Sequence, residues 1–156
     1  MSGTVFERIE RRLAELDVPF TVLRHEPVFT SADAARVRGT PLASGAKALV
    51  CKAEGAFVML VLPADRSLSS KRLRANRGWK SLRFATREEV HEWTGLAPGS
   101  IPPFGSLFKL ATLCDPALAE QETINFNAGD HAISISMRWN DYLRVEQPEL
   151  VGLSDC

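Results

Sequence analysis

Residues 46–62 read A-K-A-L-V-C-K-A-E-G-A-F-V-M-L-V-L, and this stretch decides the fold. It contains two runs of β-branched and apolar residues around Glu54-Gly55, a pattern that predicts two strands joined by a tight turn. The second run is apolar throughout, as expected of a strand that is buried on both faces. The predicted hairpin therefore supplies much of the core.

The residues before the hairpin predict the order helix, strand, helix. Thr4 followed by Glu7 has the spacing of a capping box, and apolar residues recur at helical intervals over 5–16, so the first helix starts here and ends before Pro19. F-T-V-L-R at 20–24 is a strand candidate. S-A-D-A-A-R-V-R predicts a second helix that stops at Gly39.

The residues after the hairpin predict further strands and short helices. Thr86 with Glu89 repeats the capping-box spacing and starts a helix, which ends at Gly95. Predicted helices cover 69–76, 87–93, 116–122 and 138–145, and predicted strands cover 81–85, 106–114, 123–127 and 132–137.

These elements predict a mixed α+β fold. Strands outnumber helices and no regular βαβ alternation is present, so we expect a mostly antiparallel sheet curled around a core, with helices outside. The 156 residues, with 45% hydrophobic content, correspond to one domain over residues 1–156. We find no internal repeat and no linker.

Composition limits the classes of function. The 19 Lys and Arg balance the 19 Asp and Glu, so a polyanion could bind only at a local basic patch. Cys51, Cys114 and Cys156 are far apart and odd in number, which indicates reduced thiols in a cytoplasmic protein rather than a disulfide framework or a zinc site. No stretch approaches the roughly 20 apolar residues of a membrane span, and we expect no signal peptide or anchor.

The sequence lacks the common catalytic motifs. It has no G-x-S-x-G, H-E-x-x-H, P-loop or G-x-G-x-x-G, and His25, His91 and His131 do not have the spacing of metal ligands. We therefore expect neither a metal nor a cofactor. His131 could act as a general base or be a structural turn residue, while His25 and His91 fit a turn and an exposed helix.

Two features remain as candidates for a binding site. Residues 66–87 carry eight cations and no acid, either as a solvated face or as a surface for phosphates. Lys47 starts an apolar strand after small residues, where it could project into a pocket or reach back to solvent. The stretch P-G-S-I-P-P-F-G at 98–105 is a shaped loop, because proline and glycine exclude a helix or a central strand.

Four motifs together carry a family resemblance. H-E-P-V-F-T-S-A-D-A-A at 25–35, G-A-K-A-L-V at 45–50, G-S-I-P-P-F-G at 99–105 and F-N-A-G at 126–129 resemble the YbaK/prolyl-tRNA synthetase-associated domain family in order and distance. The resemblance implies a YbaK-like fold and a free-standing trans-editing enzyme. Such an enzyme hydrolyses the ester between a wrong amino acid and the terminal adenosine of tRNA.

The resemblance also implies roles for particular residues. Lys47 would position the 3′ end of the tRNA or its phosphate. Because an ester hydrolase needs donors aimed at the oxyanion, our hypothesis is that the backbone N–H groups of the 99–101 loop face it, with the 126–131 segment on the opposite side of the pocket. A water molecule or the neighbouring ribose hydroxyl would assist. The candidate catalytic residues are Lys47, Gly99, Ser100, Asn127 and Gly129; the candidate substrate-binding residues are Phe29, Thr30, Ser44, Ile101, Pro103, Phe104, Gly105 and His131; the candidate tRNA-binding residues are Lys71, Arg72, Arg74 and Arg77.

The sequence says less about which amino acid the enzyme removes from the tRNA. Members that resemble the alanine-specific type carry Asn where this chain has Ala48, so we expect a small residue of the serine, threonine, alanine or 2-aminobutyrate class, with tRNA(Pro) as the favoured acceptor. An aminoacyl-tRNA synthetase is a possible partner. The alternatives are a non-catalytic module that binds a nucleotide or an RNA end, and a small-molecule ester hydrolase.

Overall fold

The computed structural model describes residues 3–156. The helices are α1 (Val5–Glu15), α2 (Ser31–Arg38), α3 (Ser70–Arg77), α4 (Arg87–Thr94) and α5 (Trp139–Glu146). The strands are β1 (Phe20–Arg24), β2 (Ala46–Ala53), β3 (Ala56–Pro63), β4 (Ser67–Leu68), β5 (Leu82–Phe84), β6 (Ala111–Cys114), β7 (Thr123–Asn127), β8 (Ile133–Arg138), β9 (Glu149–Leu150) and β10 (Ser154–Asp155). Within this range no helix is long and apolar enough to cross a membrane.

The predicted helix boundaries are confirmed where a capping signal sets them. The Thr4 side chain accepts from the N–H of Glu7 at 3.1 Å, and Glu7 accepts from the N–H of Thr4 at 2.8 Å, which completes the capping box of α1. Thr86 and Glu89 do the same for α4. Gly39 ends α2 with φ +69°, a conformation that glycine adopts without strain.

The predicted hairpin is confirmed and forms the centre of the molecule. Glu54 and Gly55 both have positive φ, as a two-residue turn that follows the strand twist requires. β2 and β3 pair antiparallel from Ala53–Ala56 to Ala46–Pro63. Residues 58–63 of β3 are buried, as its continuous apolar run predicts.

The strands form three sheets instead of one curled sheet. The largest has the order β5-β2-β3-β6-β9, the second has the order β1-β8-β7, and β4 pairs with β10. β6 is parallel to β3 and β9 is parallel to β6, whereas the other pairs are antiparallel, which confirms a mixed, mostly antiparallel α+β fold. A bridge between Gly45 and Asn125 joins the two larger sheets.

The main core contains buried residues from both larger sheets, from α1 and from α5. Phe104 makes edge-on contacts with Phe126 and Tyr142, with ring centroids 5.5 and 5.4 Å apart. The Tyr142 hydroxyl donates to the carbonyl of Pro103 at 2.7 Å. The second half of the 98–105 loop is thus fixed from inside the core.

The predicted strand over 106–114 is wrong in its first half. Gly105–Phe108 is a 3₁₀ helix, Lys109 has φ +60°, and the strand begins at Ala111. The chain folds back here because Gly105 donates its N–H to Thr112 Oγ1 at 3.0 Å. Leu107 and Phe108 are both buried although they are adjacent, which does not fit a strand that packs on only one face.

A buried carboxylate holds the C-terminal segment, a contact without a local sequence signal. Asp115 accepts from the N–H groups of Ala117, Leu153 and Ser154 at 2.8–3.0 Å and from the Ser154 hydroxyl at 2.6 Å. Burial alone would raise the pKa of Asp115, but these hydrogen bonds outweigh it and lower the pKa below its ordinary value.

Replacing Asp115 should release this segment. We expect Asp115→Ala to lower the free energy of unfolding by about 3 kcal/mol at pH 7, because hydrogen bonds to a charged group are lost and buried donors are left unpaired. Since the folded-state pKa is lowered, the carboxylate contributes fully above pH ~4 and loses its contribution as the pH falls further. Urea unfolding of the wild type and of Asp115→Ala at pH 7 and pH 3 measures this effect. The same difference in unfolding free energy at both pH values would contradict the prediction.

Candidate active site

A cavity of about 210 Å³ opens between α2, the start of β2, β7 and the loop at Gly99. It is smaller than the roughly 300–1,000 Å³ of pockets for drug-sized ligands, so it suits a small group. Residues 29–31, 45–49 and 125–127 contribute to its lining. The predicted site residues that line it are Phe29, Thr30, Lys47, Gly99, Ile101 and Asn127.

The cavity lies where β2 has no neighbouring strand on one side. β5 pairs only with Cys51–Ala53, so the first half of β2 is open along this edge. The N–H of Ala64 donates to the carbonyl of Gly45 on the β3 side, and the N–H of Ala85 donates to the carbonyl of Val50 on the opposite side. Successive residues of β2 therefore direct their backbone groups alternately toward β3 and away from it. By this alternation the backbone groups of Ala46 and Ala48 point away from β3 and toward the cavity.

Lys47 places a cation at the cavity wall. Its Nζ donates to the carbonyl of Arg66 at 3.2 Å, and partial burial lowers the pKa of its ammonium group. An ammonium has three N–H donors, so this single bond leaves donors for a ligand. Of the two directions that the sequence left open for Lys47, a pocket or solvent, its place in the cavity lining favours the pocket.

Arg38 is a second cation in the cavity, and sequence reasoning did not select it. Its Nε donates to Ser134 Oγ at 2.8 Å, and its Nη2 donates to Asn127 Oδ1 at 2.9 Å. Burial lowers the pKa of Arg38 to about 10, so it stays charged at neutral pH. None of the residues that line the cavity, all within the described range, is Asp or Glu.

The two loops expected on opposite sides of the pocket lie side by side. Asn127 Nδ2 donates to the carbonyl of Gly99 at 2.7 Å, and the N–H of Gly129 donates to the carbonyl of Ser100 at 2.8 Å. The expected placement is therefore corrected: the loops form one continuous wall. Gly99 has φ +92°, and a Cβ there would lie 3.2 Å from the His131 ring.

Backbone donors are available in this wall. The N–H of Ser100 is bonded to the carbonyl of Ala97 at 3.2 Å and is not free for a ligand. The N–H groups of Gly99 and Ile101, by contrast, have no acceptor among residues 3–156. Two of the three donors expected in this loop therefore remain unengaged.

The other predicted residues of the two loops and Ser44 support the wall from behind. They do not line the cavity: Ser44, Ser100, Pro103, Phe104 and Gly105 are buried, and Gly129 packs against Val5 of α1. Ser100 donates its hydroxyl to the carbonyl of Ala97 at 2.8 Å. Phe104 contacts the cavity residue Phe126, so it reaches the site through that ring.

An aromatic pair forms the rim. Phe29 is 73% exposed and stacks on His131, with ring centroids 4.6 Å apart. His131 Nδ1 lies 3.1 Å from the carbonyl of Val28. Thr30 caps α2 by accepting from the N–H of Asp33, so its hydroxyl is engaged in the helix as well as placed at the cavity.

His25 supports Arg38 from the side away from the cavity. Its Nδ1 lies 2.7 Å from the carbonyl of Glu26, and its Nε2 lies 2.8 Å from Ser134 Oγ. Since a carbonyl only accepts, Nδ1 carries the proton and Nε2 accepts from Ser134. The turn role predicted for His25 thus extends to a network, while His91 lies exposed on α4 as predicted.

The cations of α3 divide into two groups. Arg72 donates to the carbonyl of Ser154 at 2.7 Å, and Arg77 forms an ion pair with Glu149. Both therefore hold the C-terminal segment. Lys71 and Arg74 are exposed on the same helix.

Fold and cavity together describe a small mixed α+β domain that has a cationic binding site at a sheet edge. Residues 25–145 match the model of the aminoacyl-tRNA editing domain, so the chain belongs to that family. A relative from Escherichia coli K12, the "Multifunctional Ser/Thr-tRNA deacylase ProXp-y", is 39% identical over 94% of this chain and 90% of its own length. These matches confirm the predicted family and the predicted enzyme class, an aminoacyl-tRNA deacylase.

More distant relatives agree with this class. The proline–tRNA ligase of Trichlorobacter lovleyi is 34% identical over 57% of this chain and 16% of its own length. A solved structure described as a candidate trans-editing enzyme for prolyl-tRNA synthetase matches with a TM-score of 0.83 at 21% identity, over all of both chains. That structure supports the fold.

The hydrogen bonds of Arg38 predict that lysine cannot replace it in catalysis. A planar guanidinium bonds Ser134 and Asn127 at once, whereas a lysine ammonium lacks this fork. We expect Arg38→Lys to lower kcat for deacylation about tenfold, with a smaller change in KM, because Asn127 no longer fixes Gly99. Arg36→Lys, an exposed change on the same helix, is the control. Equal kcat for both variants would contradict the role of Arg38.

Proposed function

We propose that this protein is a trans-editing deacylase that hydrolyses the ester between serine or threonine and the terminal adenosine of tRNA. The observation that carries the proposal is the small cavity with two cations, no acidic residue and unengaged backbone N–H groups at its wall. The name of the E. coli relative supports the two amino acids. Alanine and 2-aminobutyrate, also expected from the sequence, are their analogues without a hydroxyl.

The reaction consumes one water. Water adds to the ester carbonyl carbon, the carbonyl oxygen becomes an oxyanion, and the bond to the ribose oxygen then breaks as that oxygen takes up a proton. We assign the N–H groups of Gly99 and Ile101 to the oxyanion. Because no described residue lining the cavity is Asp, Glu, His or Cys, we assign activation of the water to the ribose hydroxyl or to a second water.

Lys47 and Arg38 make the cavity attractive to the negatively charged end of a tRNA. In this proposal Lys47 holds the terminal phosphate, for which an ammonium is a compact partner. Arg38 has two of its nitrogens bonded to Ser134 and Asn127, so it contributes mainly charge and order. Phe29 offers its exposed face to a base at the rim.

The rest of the tRNA acceptor stem would follow α3. This helix is connected to the cavity edge, because Lys47 bonds the carbonyl of Arg66, and the Arg66 and Arg72 side chains both bond Ser154. We assign the exposed Lys71 and Arg74 to phosphates, while Arg72 and Arg77 fix the C-terminal segment. The proline–tRNA ligases among the relatives support tRNA(Pro) as an acceptor and a synthetase as a partner. Such a substrate also fits the cytoplasmic location expected from the sequence.

The first test measures deacylation. The substrates are aminoacyl-tRNAs, prepared by charging tRNA(Pro), tRNA(Ser) and tRNA(Thr) with serine, threonine, alanine, 2-aminobutyrate or proline. We expect loss of serine and threonine, and a fall in kcat/KM of about 100-fold for Lys47→Met, the size expected when one hydrogen bond from a cation to the terminal phosphate is lost. Lys52→Met on the same strand, whose ammonium lies over the Phe57 ring, is the control. Hydrolysis of small esters without tRNA, unaffected by Lys47→Met, would favour the small-molecule hydrolase instead.

The second test addresses the tRNA surface. Lys71→Gln with Arg74→Gln should raise KM severalfold at physiological salt and lower the slope of log affinity against log salt by about two, because each lost phosphate contact removes about one. Lys109→Gln is the control, because it removes a lysine that does not belong to α3. Lys109 lies just before Ala111, which pairs with Val58 at the hairpin end of β3. An unchanged salt slope would place the acceptor stem elsewhere.

A further inference from the structure

Asn125 is an unusual residue for the inside of a cavity. It lies on β7, it is 4% exposed, and it lines the cavity together with the apolar Ala46 and Phe126. The bridge between Gly45 and Asn125 fixes its backbone against the start of β2. Sequence reasoning did not select it, because Asn125 lies just before the F-N-A-G motif at 126–129 and outside it.

Its amide orientation follows from a chain of hydrogen bonds. The Ser44 hydroxyl lies 2.7 Å from the carbonyl of Pro41, and a carbonyl can only accept, so the single proton of Ser44 is donated there. Ser44 Oγ can then only accept from Asn125, whose Nδ2 lies 2.9 Å away. The amide nitrogen of Asn125 therefore points to Ser44 and its carbonyl oxygen points away.

The carbonyl oxygen of Asn125 is left for a ligand. Oδ1 has no donor among residues 3–156, and it is not one of the fully enclosed atoms without a partner in this range. Because Asn125 lines the cavity, we place this oxygen at the cavity wall. The neighbouring Asn127 differs, since Arg38 takes its oxygen and Gly99 takes its nitrogen. Asn125 thus presents an acceptor in a small cavity whose lining combines apolar residues such as Ala46 and Phe126 with the cations Lys47 and Arg38.

We infer that Asn125 Oδ1 accepts the side-chain hydroxyl of the aminoacyl group and so determines the preference for serine and threonine over alanine and 2-aminobutyrate. Ser44 is the positioning residue that keeps the oxygen turned toward the cavity. This inference rests on the proposed function. Its physical basis is that a buried acceptor is left unpaired when the ligand that fills the cavity lacks a hydroxyl, which penalises that ligand.

The α-amino group of the aminoacyl ester is a competing donor for the same oxygen. Every amino acid carries that group, so an Asn125 that bound it would contribute equally to all esters. A hydroxyl contact instead affects only serine and threonine. The ratio of kcat/KM between matched esters, serine to alanine and threonine to 2-aminobutyrate, separates the two assignments.

The experiment measures these two ratios for wild type, Asn125→Leu, Ser44→Ala and Ser136→Ala. Asn125→Leu keeps the approximate size and removes the acceptor, so we expect both ratios to fall at least tenfold, about the value of one neutral hydrogen bond. Ser44→Ala removes the acceptor of the Asn125 amide nitrogen, so the amide can turn. This variant should lower both ratios less than Asn125→Leu does. Ser136 lies across from Asn125 on β8 outside the cavity lining, so Ser136→Ala should leave them unchanged.

The outcomes distinguish this inference from the proposed function. If wild type cleaves none of the four esters, both are wrong. If it cleaves them but prefers alanine to serine, or if Asn125→Leu lowers all four rates equally, the hydroxyl contact is wrong and the deacylase stands. Circular dichroism checks that each variant folds; should Asn125→Leu fail to fold, the ratios for Ser44→Ala decide, and unchanged ratios there would overturn the inference.

Discussion

The open edge of β2 is the constraint on which the site depends. A strand buried in a core cannot leave its backbone groups without partners, yet β5 covers only Cys51–Ala53. The first half of the strand is covered instead by α2, the Gly45–Asn125 bridge and the loop at Gly99, which together leave a small cavity. Polar backbone groups from β2 and side chains from the second sheet therefore meet at one place. The cavity exists because two sheets come together without completing the pairing of this strand.

Keeping two cations in that cavity has an energetic cost, which the surroundings offset. Arg38 is largely removed from water, and its lowered pKa reflects that desolvation. Arg38 stays charged at neutral pH because its pKa is still about 10. Ser134, which also bonds His25, and Asn127 hold the guanidinium in place, and Asn127 orders the loop through Gly99. A cavity without acidic residues leaves this charge available to an anionic ligand. One network thus gives the site both its electrostatic character and its shape.

The sequence predicted elements well where the signal is local. Both capping boxes, the glycine that ends α2 and the Glu54-Gly55 turn act within a few residues, so their geometry follows from residue type and spacing. The prediction was wrong over 106–110, because a bond between Gly105 and Thr112 reverses the chain, and alternation alone does not reveal it. The clamp at Asp115 was missed for a similar reason: its partners Leu153 and Ser154 lie almost 40 residues away in the chain.

The hairpin, the helix ends marked by capping residues, the α+β class and the family follow from the sequence alone, since each depends on neighbouring residues or on motifs in order, while Lys47 was a candidate whose direction stayed open. Only the tertiary structure decided which other side chains share that pocket. Arg38 and Asn125 carry no motif; they become site residues because α2 and β7 meet at the uncovered edge of β2. The structure also placed the 99–101 and 127–129 segments in one wall and turned Arg72 and Arg77 toward the chain's own C-terminal segment. Contacts between residues far apart in sequence depend on how the sheets pack, and spacing along the chain does not encode that packing.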